Sequence, residues 1–298
     1  MNERKLIEER GLKTSMLGAF LLAVWGIIMA NITSSGAIML DGMFNLISAV
    51  LSFFSIYITR LIAEKETKEY PLGYFAFESL LVLIKGASIL ILIVLSVSVS
   101  LNVLLSGGRE PELGLMIVYV AIAIVTCLIM YLLLRRSFKK AGTDILDAET
   151  QSWLINFVVT GAIGIAFVVV MLIQGTSFGW IARYVDQILV IAFSLIFLKD
   201  PILLIKSGLK ELLLAAPQEE YTRPFELKLL PMKEQLDLKS LKLEVLKTGR
   251  RIWVTIFVDP EKDTLNVDEF MKAKKDLARL VREVYEDSQT EVILERAS

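Results

Sequence analysis

Histidine is absent from the 298 residues of this chain, and cysteine occurs once, at Cys127. Without an imidazole, the chain cannot use a histidine base, a histidine metal ligand or a histidine proton shuttle. A single cysteine excludes a disulfide bond within one chain. An excess of charge is also lacking, since 32 basic and 33 acidic side chains leave a formal net charge of −1. This balance gives no reason to expect a nucleic-acid partner.

Apolar residues are abundant instead. They make up 55% of the chain, and the mean hydropathy is +0.60, which is above the range of soluble domains. A helix needs about 20 largely apolar residues to cross the hydrocarbon core of a bilayer. The sequence therefore predicts an all-α six-helix transmembrane bundle, with spans over 16–33, 36–61, 79–105, 113–134, 153–173 and 185–205.

The basic residues of the short loops predict the orientation of this bundle, because cytoplasmic loops carry an excess of lysine and arginine. The loops on one side hold eleven such residues, and those on the other hold only Arg109 and Arg183. We therefore predict a plasma or inner membrane protein with both termini in the cytoplasm. The eleven residues are Arg4, Lys5, Arg10, Lys13, Arg60, Lys65, Lys68, Arg135, Arg136, Lys139 and Lys140.

The end of the chain has the pattern of a small soluble domain. Apolar and polar residues alternate over 241–245 and 252–258, which is typical of two strands, and Gly249 between them suits a turn position with positive φ. A helix is expected before this hairpin, and a helix and a last strand after it. We predict a transmembrane domain over 1–215 and an α+β domain of αββαβ order over 216–298. So small a domain has a thin core that invites contact with a second copy, so a homodimer is expected.

Two predicted spans carry polar side chains at helical spacing. Asp41, Asn45, Ser48 and Ser52 lie on one face of the second helix, and Ser152, Asn156 and Thr160 lie on one face of the fifth. Facing each other, these oxygen-rich faces could hold a cation, with Asn45 and Ser48 closer to Ser152 and Asn156 than Asp41 is. The alternative is that these side chains only join helices by hydrogen bonds.

Ionisable side chains in or beside a membrane span are costly and suggest function. Asp41, Glu78, Lys85 and Asp186 are therefore candidates for proton coupling or for a structural ion pair. Glu78 and Lys85 lie seven residues apart on the same side of the third helix. Lys85 could pair with Asp41, Glu78 or Asp186, or it could face water. Asp186 could also cap the sixth helix.

Several landmarks together resemble the cation diffusion facilitator family over nearly the whole chain. The second helix begins with small residues and Asp41, and Pro71, Gly73 and Glu78 follow the spacing of the family's Pro-x-Gly-x-x-x-x-Glu signature. The sixth helix opens with YVDQIL, similar to the family's Tyr-x-Asp-Pro-x-Leu, and the tail is similar to the family's metallochaperone-like cytoplasmic domain. The resemblance implies a transporter that exports a metal cation in exchange for protons, working as a homodimer.

The chain departs from the family at its metal ligands. Family members bind zinc or a similar ion through a His/Asp-x-x-x-Asp pair on each of helices two and five. The corresponding positions here are Phe44, Ser48, Ser152 and Asn156, none of which is a carboxylate or an imidazole. The segment Trp153 to Asn156 resembles a divergent branch of the family that has Trp-Leu-Ile-Asp at this place.

Two functions remain open. The chain could export a cation in exchange for protons through a site formed by Asp41, Asn45, Ser48, Ser152 and Asn156, whose oxygen ligands favour a hard divalent ion over zinc. It could also be a transport-incompetent relative that serves as a structural or regulatory dimer partner. No arrangement typical of an enzyme is found, and no cofactor is expected besides the transported cation.

Overall fold

The computed structural model describes residues 3–62, 67–142, 144–177, 179–236, 238–260, 267–285 and 287–295. Of the predicted cytoplasmic basic residues, Lys65 lies outside the described residues. Five long helices come first: α1 Glu3–Thr33, α2 Gly36–Ile62, α3 Ala76–Leu105, α4 Leu113–Ala141 and α5 Asp144–Ile173. Each contains a stretch long and apolar enough to cross a bilayer.

The sixth span, Gly179–Leu212, is made of a 3₁₀ turn, Gly179–Ile181, and two helices, α6 Ala182–Phe197 and α7 Lys199–Leu212. The sequence predicts one continuous helix here, but the structure interrupts it at Leu198. Pro201 has no backbone N–H and cannot donate a hydrogen bond to the carbonyl of Phe197, which weakens the helix at this point. Six spans are found in the described part of the chain, as predicted.

A small α+β arrangement follows the spans, as predicted, with one additional short helix. Its elements are α8 Glu219–Leu229, α9 Met232–Gln235, β1 Leu238–Thr248, β2 Arg251–Pro260, α10 Val267–Val284 and β3 Ser288–Leu294. β1 and β2 form an antiparallel hairpin and β3 pairs parallel to β2, so the sheet order is β1-β2-β3. Gly249 in the hairpin turn has a φ of 56°, which confirms the predicted positive φ.

The chain divides into two compact units. The first comprises Met1–Tyr57 and Lys85–Leu203, and the second comprises Ile58–Ile84 and Leu204–Ser298. The second unit thus contains the end of α2, the start of α3 and most of α7 together with the sheet. The predicted domain boundary between 215 and 216 separates the membrane spans from the part of the chain outside the membrane, whereas the two units are separated by compactness. The predicted boundary therefore stays a prediction.

Each unit has its own apolar core. In the first unit, α1, α2, α4, α5 and α6 pack around side chains such as Tyr119 and Phe167. In the second unit, Ile252 and Ile256 of β2 pack with side chains from α8 and α10, namely Phe225, Leu229, Leu277 and Val281. The long helices also expose apolar side chains, such as Leu172, which is 75% exposed. So large an apolar surface suits lipid rather than water.

Candidate functional site

Two side-chain amides join α2 and α5 inside the first unit, that of Asn45, which is buried, and that of Asn156, which is half-buried. The Asn156 side-chain amide donates a hydrogen bond of 3.2 Å to the Asn45 side-chain carbonyl. Asn45 is only 3% exposed, and its own amide donates to the backbone carbonyl of Asp41 at 2.9 Å. The structure therefore brings the two predicted polar faces together at Asn45 and Asn156.

Asp41 lies one helical turn from Asn45, and its partner comes from α4. The Tyr119 hydroxyl donates a hydrogen bond to the Asp41 carboxylate. Tyr119 is completely buried, which fixes the position of this hydroxyl. The sequence analysis did not find Tyr119, because a single tyrosine in an apolar helix has no distinguishing spacing.

Two glycines allow α1 to approach this pair. A Cβ on Gly26 of α1 would lie 2.8 Å from the Gly42 Cα and 3.3 Å from the Tyr119 hydroxyl. A distance of 2.8 Å is too short for two carbon atoms in contact. Glycine at 26 and 42 therefore permits the backbones of α1 and α2 to meet directly beside Asp41.

The other residues of the predicted site lie further along the same helices. Ser48 and Ser52 are half-buried on α2, Ser152 is exposed on α5, and Thr160 is 1% exposed on α5. The contact between the two faces is thus made by the asparagines. Asp41 is linked to this contact by the hydrogen bond from the Asn45 amide to its backbone carbonyl. Ser48 and Ser152 each lie about one turn from that contact.

A second carboxylate is held between α1 and α5. The Ser15 hydroxyl donates to the Glu149 carboxylate at 2.5 Å, and the Trp153 indole N–H donates to the Ser15 oxygen at 2.7 Å. Ser15 is 5% exposed and Trp153 is 4% exposed. The sequence analysis missed this group. Its spacing could have revealed it, since Glu149 lies seven residues before Asn156 on the same face of α5.

Asp186 caps α2 rather than the sixth span, so its predicted capping of its own helix is wrong. Its carboxylate accepts hydrogen bonds from the Ser35 hydroxyl at 2.5 Å and from two backbone N–H groups, of Gly36 at 2.7 Å and Ala37 at 3.2 Å. These are unpaired donors at the first turn of α2. A carboxylate is favoured there by the positive end of the helix dipole.

Lys85 pairs with none of the three carboxylates that the sequence suggested, which are Asp41, Glu78 and Asp186. Glu78 binds Arg250 of the β1–β2 turn, accepting hydrogen bonds from its backbone N–H at 2.8 Å and from its guanidinium, with Nε at 2.8 Å. Lys85 is exposed on α3 and forms no ion pair with any residue that the structure describes. Glu78 is therefore part of a structural ion pair, but with a partner 172 residues away.

A second ion pair lies beside Glu78 in the same unit. The Glu211 carboxylate on α7 accepts from the Lys247 ammonium at 2.6 Å and from the Ser79 hydroxyl at 2.7 Å. The backbone N–H of Gly249 donates to both Ser79 and Glu211, at 2.9 and 3.1 Å. These contacts hold the β1–β2 turn against the start of α3 and the end of α7.

The membrane spans match a known family. Residues 12–213, about two thirds of the chain, match the cation efflux transmembrane domain. The chain belongs to the cation efflux, or cation diffusion facilitator, family. No curated protein matches the sequence. Together with the six spans, family membership shows that the chain is a multi-pass integral membrane protein. By class it is a membrane cation transporter. The family is in general not a family of enzymes.

The donors at the site differ from those that the family resemblance implies. Of the four corresponding positions, Phe44 packs against the apolar core, and only Asn156 takes part in the contact between α2 and α5. Within the described ranges, no three His, Cys, Asp or Glu side chains lie close enough together to hold a metal ion. The available ligands are carboxylate, amide and hydroxyl oxygens, which suit hard cations.

Proposed function

We propose that this chain exports a hard divalent cation from the cytoplasm in exchange for protons, with Asp41 as the side chain that binds both. The observation that carries this proposal is the environment of Asp41. Its carboxylate is held by the hydroxyl of a fully buried tyrosine, one turn from the Asn45–Asn156 contact. No described side chain forms an ion pair with it.

Such a carboxylate attracts a mobile cation. An asparagine at position 41 could accept the same hydrogen bond from Tyr119 without the cost of placing a charge inside the membrane, which is about 2.5–3.5 kcal/mol or more. The hydrogen bond alone therefore does not account for the charge. A cation or a proton that visits the site would account for it.

The proposed ligands are Asp41, Asn45, Ser48, Ser152 and Asn156, all of which offer oxygen. Mg²⁺, Mn²⁺ and Ca²⁺ prefer such ligands, whereas zinc prefers nitrogen and sulfur. Mg²⁺ also keeps several of its water molecules in protein sites, so a site with few protein ligands can serve it. We therefore expect Mg²⁺ or Mn²⁺ to be moved and Zn²⁺ to be bound weakly.

The deciding experiment measures cation and proton flux in proteoliposomes with the purified full-length protein. We expect flux of Mg²⁺ or Mn²⁺ in the parent, a loss of at least about tenfold in Asp41→Asn, and partial activity in Asp41→Glu. The reason is that two unit charges about 4 Å apart attract each other by roughly 4 kcal/mol at an effective dielectric constant near 20, and about 1.4 kcal/mol already corresponds to tenfold. Proton flux should fall together with cation flux.

Asp147→Asn is the matched control, since Asp147 lies on α5 and bonds only to Gln151 of the same helix among the described residues. Flux in Asp41→Asn equal to that of the parent at every pH would make Asp41 structural. A sub-micromolar zinc affinity that is lost on changing Asn45 or Asn156 would contradict the preference for hard ions.

A second candidate function is that of a transport-incompetent dimer partner. The observation in its favour is the replacement of all four family ligand positions by Phe44, Ser48, Ser152 and Asn156. If the parent moves none of Mg²⁺, Mn²⁺, Ca²⁺ or Zn²⁺, this second function replaces the first.

The proposal includes cytoplasmic termini in a plasma or inner membrane, and a homodimer. Single cysteines at Ser106→Cys and Lys140→Cys, in a Cys127→Ala background, should react with an impermeant reagent from opposite sides. Light scattering in detergent should give the mass of two chains. Removal of residues from Pro217 onward should weaken this association.

A further inference from the structure

A row of buried and half-buried polar side chains runs through the first unit beyond the residues proposed above. On α5, Glu149, Trp153, Asn156 and Thr160 follow each other at spacings of four, three and four residues, which places them on one face. Glu149 and Trp153 both bond to Ser15 of α1, and Asn156 bonds to Asn45 of α2. The row therefore continues from Asp41 through the two asparagines to Glu149.

The spacing of the two carboxylates can be measured along two routes. The first route follows α2 from Asp41 to Asn45 and then, after the contact between the asparagines, α5 from Asn156 back to Glu149. The two stretches add up to eleven residues, or about 16 Å at 1.5 Å per residue. Along α1, Gly26 adjoins Tyr119, the partner of Asp41, and Ser15 bonds to Glu149. These two positions are also eleven residues apart, so both routes give about 16 Å. The carboxylates thus lie at the two ends of one column, on either side of the Asn45–Asn156 contact.

Glu149 has the same kind of environment as Asp41. Its described hydrogen-bond partner is a neutral hydroxyl, and it forms no ion pair with the side chains that the structure describes. A glutamine could accept the same bond from Ser15 without carrying a charge. The hydrogen bond alone therefore does not account for a charged side chain at this position, as at Asp41.

We infer that Glu149 is a second cation-binding carboxylate of the transport path, positioned by Ser15 and lying at the opposite end of the column from Asp41. It would receive the cation at the α4–α5 end of the bundle, while Asp41 binds it at the α1–α2 end. The ligand class is a divalent cation that accepts carboxylate and hydroxyl oxygens. This inference rests on the proposed function, because it assigns a second binding step to the same path.

The test compares Glu149→Gln with Asp147→Asn, which removes the same charge two residues away on another face of α5. Mg²⁺ and Mn²⁺ flux is measured in proteoliposomes, and Mn²⁺ binding is measured separately by its electron paramagnetic resonance signal with the full-length protein in detergent. We expect Glu149→Gln to raise the half-saturating concentration and to weaken Mn²⁺ binding roughly tenfold, because the variant lacks the Coulombic attraction between the carboxylate and the cation. Asp147→Asn should match the parent.

Further variants separate a binding role from a structural one. Glu149→Asp should recover part of the Mn²⁺ affinity, because it restores the charge. Ser15→Ala should raise the half-saturating concentration with little change in maximal rate, and Ser15→Thr should restore it. Melting temperatures show whether each variant is folded. A Glu149→Gln variant that does not fold leaves Ser15→Ala as the deciding variant.

The outcomes distinguish this inference from the proposed function. If the parent transports, and neither Glu149→Gln nor Ser15→Ala differs from Asp147→Asn in flux or binding, the inference is overturned and the proposed function stands. If the parent moves no cation but Mn²⁺ binding weakens in Glu149→Gln, the cation-binding role of Glu149 stands and its place in a transport path is overturned together with transport. If the parent neither binds nor moves Mn²⁺, both are overturned.

Discussion

Glu78 and Glu211, in the second unit, each bind a cationic side chain, whereas Asp41 and Glu149, in the first unit, are held by hydroxyl groups. All four are acidic side chains with well-defined hydrogen-bond partners. They differ in charge compensation. Arg250 and Lys247 neutralise the carboxylates of the second unit, while no ion pair is formed by those of the first among the described residues.

The difference in charge compensation separates carboxylates with a structural role from carboxylates that the proposed function assigns to cation binding. A neutral donor satisfies the geometry of a carboxylate but leaves its negative charge in place, and such a charge is costly inside a membrane. A paired carboxylate has no such excess charge. Glu78 and Glu211 therefore secure the β1–β2 turn, and Asp41 and Glu149 are the carboxylates to which the proposed function assigns cation binding.

Asp186 is an intermediate case. It too lacks a cationic partner in the described residues, but it accepts two backbone N–H groups and a hydroxyl at the first turn of α2. The partial positive charge of a helix N-terminus compensates part of its charge. Asp186 therefore resembles the structural carboxylates more than it resembles Asp41 and Glu149.

The largest effect is expected from Tyr119→Phe, which removes the only described hydroxyl bonded to the Asp41 carboxylate. Loss of a hydrogen bond to a charged group costs roughly 1.5–3 kcal/mol, so we expect cation flux to fall about tenfold. Proteoliposome flux measures it. Tyr131→Phe is the control on the same helix, since its ring lies against Arg135. Equal flux in both variants would show that Tyr119 does not position Asp41.

A smaller effect, on stability alone, is expected from Arg250→Ala. This change leaves the Glu78 carboxylate without its guanidinium, at a cost of roughly 2 kcal/mol. Amide hydrogen exchange at residues 248–252 should become faster, and the Asp41-dependent flux should persist. Lys242→Ala breaks an ion pair whose side chains are 69% and 51% exposed, so it should change exchange little. Unchanged exchange in Arg250→Ala would remove the contrast between the two units.

The smallest effect is expected at the exposed pair of Lys228 and Glu283, whose nitrogen and oxygen lie 2.7 Å apart. The Lys228 ammonium holds the pKa of the Glu283 carboxyl below its usual value of 4.5. A lowered pKa in the folded state adds stability above the unfolded pKa, and this stability is lost as the pH falls through the folded pKa. Glu283→Gln should therefore melt slightly below the parent at pH 7, and this difference should shrink at an acid pH below 4.5. An equal difference at both pH values would exclude the ion pair as its cause.

Local pattern predicted much of the fold and part of the site. Six apolar segments predicted six spans, and the spacing of Asp41, Asn45 and Asn156 on their helices predicted that the two polar faces meet near the asparagines. Length and helical periodicity are properties of neighbouring residues, so they can be read from the chain directly. The break at Leu198 was missed because the weakening effect of Pro201 on a long apolar helix depends on its surroundings.

Partners distant in sequence were not predictable in this way. Lys85 lies at the right spacing to pair with Glu78, yet Arg250 takes that place, and Asp186 caps a helix that begins 150 residues earlier. Helical spacing relates residues within one helix and carries no information on such distant partners. Tyr119 and Ser15 carried no signal, because a single hydroxyl in an apolar helix is common.

The sequence by itself determined the six spans, the absence of histidine chemistry and the residues that form polar faces, since composition and helical periodicity are local. Only the tertiary structure decided which carboxylates are neutralised. That depends on which helices meet: the β1–β2 turn carries Arg250 and Lys247 to Glu78 and Glu211, while α4 and α1 offer Asp41 and Glu149 hydroxyls. The charge left on a carboxylate is thus a property of packing between distant segments, and no local pattern encodes it.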